Sequence, residues 1–255
     1  MDPIEPTVDL SGQVALVTGA SSGLGRRFAA VLAANGAHVV ATARRIDRLE
    51  ELAAEIESAG GTCLPMALDV TDADQLAAVV ARAEAEAGAV RILVNNAGIP
   101  DAQYATRMEL DLVDRVLDTN LRAPFLLSCE VARRLIALEL PGRIVNISSV
   151  GGFNYGGGGA ALYSITKAGV NRLTETLAVE WSKFHINVNA IAPGLFASEM
   201  SDGMIERMGD LTRAFPRKRI GQPEQLDSTL LYLVSPASET VTGTVIKVDD
   251  GQGPR

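Results

Sequence analysis

Three side chains in this sequence have the types and spacing to move a proton at a carbonyl or alcohol oxygen: Tyr163, Lys167 four residues after it, and Ser149 before both. A free phenol has a pKa near ~10 and is a poor acid–base group at neutral pH. An ammonium one helical turn away favours the phenolate, because a nearby opposite charge lowers an acid's pKa. The i, i+4 spacing puts both side chains on one helix face. Lowering such a pKa by ~3 units takes ~4 kcal/mol of differential stabilisation. Ser149 follows the strand-like run 143–147, the place where open α/β sheets build their sites. Its hydroxyl can donate to a carbonyl oxygen and polarise it, while Tyr163 gives or takes the proton. Tyr-x-x-x-Lys alone recurs on many surface helices, so the surrounding elements must carry the argument.

Those elements begin with an apolar run, 13–17, that reads as a buried strand. It leads into Thr18-Gly19-Ala20-Ser21-Ser22-Gly23-Leu24-Gly25 and then a helical pattern over 26–35. Strand, glycine-rich turn and helix form the arrangement that binds a dinucleotide pyrophosphate. Gly19 permits the tight turn, Gly23 lets the backbone approach phosphate, and Gly25 allows close helix packing. The spacing is Gly-x-x-x-Gly-x-Gly rather than the commoner Gly-x-Gly-x-x-Gly. At the end of the second strand, where an acidic residue would read an NAD ribose, stands Ala43, followed by Arg44 and Arg45. Guanidinium groups suit the 2′-phosphate of NADP and no carboxylate opposes them, so NADP(H) is expected over NAD(H). The alternative is that both arginines solvate a helix start.

Strand-like runs recur at 14–17, 37–42, 63–68, 90–94, 143–147, 187–192 and 244–248, with helical patterns between them, several expected to stop at Gly36, Gly60, Gly88 and Gly142. Continuous apolar strands alternating with helices predict a parallel sheet covered on both faces. With 255 residues and no internal linker or repeat, the chain reads as one domain over 11–255 after an extension over 1–10. No apolar stretch approaches the ~18 residues of a membrane helix, and the start, Met1-Asp2-Pro3-Ile4-Glu5-Pro6, lacks a secretory pattern. Cys63 and Cys129 are too few and too far apart for a metal site, so no metal is expected and the cytoplasm is the default. A net charge of −8 disfavours nucleic acid and anionic membranes as partners.

Taken in order, the 18–25 turn, Asn95-Asn96-Ala97-Gly98, Asn120, Ser149, Tyr163, Lys167 and Pro193-Gly194 resemble the short-chain dehydrogenase/reductase family in its branch of roughly 250 residues. The similarity runs from about residue 10 to 251 and extends to the 3-oxoacyl-[acyl-carrier-protein] reductases. It implies an α/β, Rossmann-type doubly wound fold with a seven-stranded parallel sheet and helices on both faces. It also implies hydride exchange with a nicotinamide, interconverting a ketone and a secondary alcohol, with Asn120, Ser149, Tyr163 and Lys167 as the catalytic set. Cofactor contacts carried over are Gly19, Ser21, Ser22, Gly23, Leu24 and Gly25 in the turn, Arg44 and Arg45 beside the ribose, and Asp69 and Val70 at the adenine. Asn96, Ala97 and Gly98 lie beneath the adenosine side, with Asn95 also bracing the sheet. Tyr163 and Lys167 face the nicotinamide ribose, and Pro193, Gly194 and Leu195 flank the ring, Leu195 through its backbone. Ser198 stands where the family often has threonine.

Asn120 has a local reason for its role. Pro124, four residues on, lacks the amide hydrogen that would bond its carbonyl, leaving that oxygen to accept from a water leading to Lys167. The Ser149–Tyr163 spacing is fourteen rather than the family's thirteen, and the extra residue is expected in the run Gly156–Gly159. A hydrophobic substrate is expected from Phe153, Tyr155, Phe196, Met200 and Met204 around the pocket, although helically spaced methionines can equally pack on the core. The carrier-protein alternative is weakened because the positions beside its entrance read Leu138-Glu139-Leu140 and Phe184, with only Lys183 basic. A homotetramer, or a homodimer, is implied through helices at 111–139 and 162–183. A non-catalytic NADP(H)-sensing module is the alternative of another class, free to lose the tyrosine or lysine that this chain keeps.

Overall fold

Strands that are apolar on both sides need cover on both faces, and the computed structural model supplies it. It describes residues 8–253, so residues 1–7 of the expected extension lie outside the described residues, as do 254 and 255. Seven strands, β1 (Val14–Thr18), β2 (His38–Ala43), β3 (Thr62–Ala67), β4 (Val90–Asn95), β5 (Gly142–Ile147), β6 (Ile186–Pro193) and β7 (Val245–Val248), form one sheet in the order β3-β2-β1-β4-β5-β6-β7. Every pairing is parallel. Each strand falls on a run read from the sequence. The order reverses between β1 and β4, so the crevice for a ligand opens beyond their C-terminal ends.

Helices α1 (Gly23–Ala34), α2 (Ile46–Ser58), α3 (Ala73–Ala87), α4 (Leu110–Leu117), α5 (Ala123–Ala137), α6 (Ala161–Trp181), α7 (Glu199–Met208) and α8 (Asp227–Val234) make up the layers around it. Phe28 of α1, Leu49 of α2 and Leu230 of α8 pack into the core on one face. Val80 of α3, Leu127 of α5 and Leu177 of α6 pack on the other. Leu10 is fully buried in the first of these cores, and its N–H donates to the Asn35 carbonyl at 2.8 Å, so the expected extension ends inside the fold.

Two local expectations need correction. Gly36, Gly60 and Gly88 take left-handed φ values of 93°, 86° and 103° after their helices, as stop signals do, but Gly142 opens β5 instead. There a Cβ would collide with the Leu135 side chain, so close helix–sheet approach is what needs glycine. The left-handed residue after α5 is Glu139, at φ 54°. Between α4 and α5 the chain widens into a π turn, Asp118–Arg122, rather than continuing as a regular helix. One more feature bears on assembly: β3 is an edge strand and carries Pro65 at its middle, opposite Ala41.

Candidate active site

The crevice floor is the glycine turn. Gly19 and Gly23 adopt positive φ (68° and 53°), which the tight turn requires. Asn96 locks the turn from below, donating through Nδ2 to the carbonyls of Thr18 (3.0 Å) and Gly19 (3.3 Å). The Thr18 hydroxyl accepts from the amides of Asn96 (3.0 Å) and Ala97 (3.1 Å). Asn95 braces the sheet as expected, donating to Asn146 Oδ1 at 2.8 Å and to Ser128 Oγ at 3.0 Å. Helix α1 starts here without a side-chain cap and with no acidic residue in its first turn, so its amides remain available to an anion. These features fit a dinucleotide pyrophosphate.

Arg44 and Arg45 follow β2, both exposed. Arg45 reaches back over the turn, donating to Ser21 Oγ (3.0 Å) and Ser22 Oγ (3.0 Å). The expectation that no carboxylate opposes these arginines is corrected here. Glu199, at the start of α7, pairs with Arg45 through both oxygens (3.0 and 3.2 Å), and its carboxyl is held below its ordinary range mainly by that contact. The pair is invisible in sequence because 154 positions separate the partners. Ser198 caps α7, accepting from Ser201 N at 3.2 Å, and its Cβ lies 3.1 Å from where a Cβ on Gly23 would sit. Asp69 and Val70 follow the end of β3, where the Asp69 carboxylate accepts from Thr71 N at 3.0 Å.

Tyr163, Lys167, Ser149 and Asn120 converge at the C-terminal ends of β4 and β5. Ser149 Oγ and the Tyr163 ring edge both line the space beside Gly151, and Ser149 Oγ accepts from Gly151 N at 3.0 Å. Ser148 points elsewhere, donating to Asn171 Oδ1 (2.5 Å) and the Lys167 carbonyl (3.1 Å). Lys167 is 4% exposed, and its Nζ donates to the Ile147 carbonyl at 2.7 Å and lies 5.6 Å from the Tyr163 ring centroid. Burial pushes the Lys167 ammonium down to about 8. Asn120, on the π turn, uses its side chain on the Ile99 peptide, accepting from its N–H (2.8 Å) and donating to its carbonyl (2.9 Å).

The expected lowering of the Tyr163 pKa is not what the protein groups produce. Burial raises it, the Ser149 hydroxyl pulls the other way, and the Asp101 carboxylate raises it further. Asp101 drew no attention as sequence, yet it is buried beside this tyrosine.

Toward the outer rim, Gly157, Gly158 and Gly159 all take positive φ, marking the loop where the extra residue was expected. Phe153 (42% exposed) lies beneath the Lys247 ammonium at 4.1 Å, and Tyr155 is half exposed. Met200 is exposed and Met204 half-buried on α7. Phe196 is placed in the core instead, packed against Gly221. Pro193 ends β6 and Gly194 follows it. The Leu195 backbone is already engaged by the Gln252 side-chain amide, N–H to Oε1 at 2.5 Å and Nε2 to carbonyl at 3.3 Å.

A dinucleotide cradle joined to a tyrosine–lysine–serine set, its lysine buried, on a doubly wound sheet defines a nicotinamide-dependent oxidoreductase. Comparison with known proteins narrows this. The short chain dehydrogenase family matches residues 13–208. A 3-oxoacyl-[acyl-carrier-protein] reductase of Thermotoga maritima is 37% identical over 243 residues, covering 95% of this chain and 98% of its own. A gluconate 5-dehydrogenase of Gluconobacter oxydans is 38% identical over 245 residues, covering 95% of each chain. The crystal structure of an actinorhodin polyketide ketoreductase with NADPH superimposes with a TM-score of 0.91 at 32% identity, covering 95% of this chain and 98% of that one. The chain belongs to the short-chain dehydrogenase/reductase family.

Proposed function

We propose that this protein interconverts a ketone and a secondary alcohol, with Tyr163 as the general acid and base. The observation that carries the reading is the placement of Tyr163 beside Ser149 with the buried Lys167 ammonium 5.6 Å from its ring centroid. The cofactor is NADP(H) in preference to NAD(H), supported by Arg44 and Arg45 after β2 and by the NADPH in the related ketoreductase. When bound, the nicotinamide supplies or accepts the hydride. Ser149 orients the substrate oxygen, and Tyr163, protonated at neutral pH because its pKa is raised, donates to it during reduction. Lys167 keeps positive charge next to that hydroxyl and holds the ribose. The Asn120 backbone carbonyl, before Pro124, accepts a water leading to Lys167.

The named relatives divide between carrier-bound oxoacyl groups and sugar acids, so substrate class rests on this chain's own rim. Met200 and Met204 on α7, with Phe153 and Tyr155 opposite, favour a hydrophobic ketone. The molecule works as a homotetramer through α5 and α6, whose outer faces expose Phe125, Ile165 and Val179. Among the described residues no helix is long and apolar enough to cross a membrane.

The test is NADPH and NADH oxidation against ketones of graded size, with Tyr163→Phe alongside. Turnover should fall at least ~10²-fold in the variant, with NADPH binding preserved and NADPH preferred over NADH. Equal turnover by Tyr163→Phe would overturn the assignment. Tight NADPH binding with no turnover on any ketone would favour the sensing module.

A further inference from the structure

Helix α6 carries both Tyr163 and Lys167, and its 21 residues begin without a cap of their own. Its N-cap residue is Ala160, whose methyl group accepts nothing, so the first-turn amides need an acceptor from outside. Asp101 supplies it. This residue lies in the segment after β4, 62 positions earlier, and is 3% exposed. Its Oδ2 accepts from the backbone N–H of Tyr163 itself at 3.0 Å. Its Oδ1 accepts from Ala102 N at 2.7 Å, and Ala102 takes φ 50°, a left-handed conformation that disfavours residues other than glycine.

The segment around Asp101 is pinned at both ends. Upstream, the Ile99 peptide is held on both sides by the Asn120 side chain. Downstream, Gln103 pairs in parallel with Ala160, and Gly159 at φ 75° lets the two backbones meet. The tie therefore runs from the π turn, through residues 99–103, to the amide of the reacting tyrosine. A carboxylate at a helix N-terminus is also favoured by the helix dipole.

We propose that Asp101 is the positioning residue of Tyr163, capping the catalytic helix from outside and fixing the phenol in register with Ser149. This rests on Tyr163 being the acid–base group. The charge of Asp101 has a second effect on the same group. Asp101 and Lys167 are the charged side chains placed against Tyr163 among the described residues, and the carboxylate disfavours the phenolate.

Two variants separate capping from charge. Asp101→Ala removes both, whereas Asp101→Asn keeps an oxygen to accept from Tyr163 N. In ketone reduction, Asp101→Ala should lower kcat by ~10–100-fold, the scale of a small misplacement of a reacting group, with NADPH affinity measured by fluorescence unchanged within ~3-fold. Asp101→Asn should recover most of that kcat. The rise of alcohol oxidation with pH should move to lower pH in Asp101→Asn, because the phenol loses a nearby negative charge. Unchanged kcat in Asp101→Ala would overturn the proposal. So would an Asp101→Asn that neither rescues kcat nor shifts the pH profile. If Asp101→Ala does not fold, the pH profile of Asp101→Asn decides alone. Tyr163→Phe run in parallel keeps the questions apart, since full activity there would instead remove the acid–base assignment.

Discussion

Lys167 illustrates how a single residue can be held against its own preference. Its amine is buried, its Nζ bonds a backbone carbonyl rather than a carboxylate, and its pKa falls to about 8. Between that value and the ordinary 10.5 the unfolded chain binds more protons than the folded one, so this group adds stability as pH rises through the window and withdraws it below. Lys167→Met should therefore separate stability from function. Turnover should drop at least ~10²-fold, while the thermal midpoint at pH 7 should be equal to or above the parent's. The gap should narrow as the pH approaches 10. A variant several degrees less stable at pH 7 would show that the ammonium supports the fold instead. The tyrosine–lysine–serine set was legible in the sequence because helical periodicity puts an i, i+4 pair on one face. The sign of the Tyr163 shift was not, because it depends on burial and on Asp101, a group 62 positions away.

Among the elements, the strand–turn–helix unit at β1 and α1 couples folding to cofactor binding through contacts that leave no space for a side chain. A Cβ on Gly25 would overlap the Gly19 carbonyl and Asn96 Nδ2, the pair that locks the turn. Gly25→Ala should cost about 1–3 kcal/mol, read as a lower thermal midpoint. NADPH binding should weaken with it, because the turn opens beneath the phosphates. A variant with parent stability but lost binding would show that the turn serves the ligand alone. All seven strands could be read from their apolar runs, and five of them, β1, β2, β4, β5 and β6, are buried along nearly their whole length. The π turn at Asp118–Arg122 could not. Pro124 signalled a disturbance there, but whether a helix bends, breaks or widens at a proline is decided by what packs on it. The Glu199–Arg45 pair and the Gln252–Leu195 clamp lay beyond reach for a related reason, each joining segments that only the closed sheet brings together.

At the scale of the whole molecule, the outward faces of α5 and α6 leave Val179 79% and Phe125 45% exposed, and Phe125 lines a groove with Leu121, Leu173 and Leu177. If these faces hold the proposed tetramer together, Phe125→Asp should give a smaller species by light scattering, with the parent eluting as four chains. A parent that scatters as a single chain would end that proposal. The sheet itself limits association in another way. Its two margins are unlike: β7 presents an ordinary row of backbone groups, whereas β3 carries Pro65, which withholds an amide hydrogen at mid-strand. A fibre that grows by laying sheet against sheet needs a receptive margin at each end of every unit. This molecule offers one, so any pairing through β7 would close on itself as a two-fold dimer and go no further.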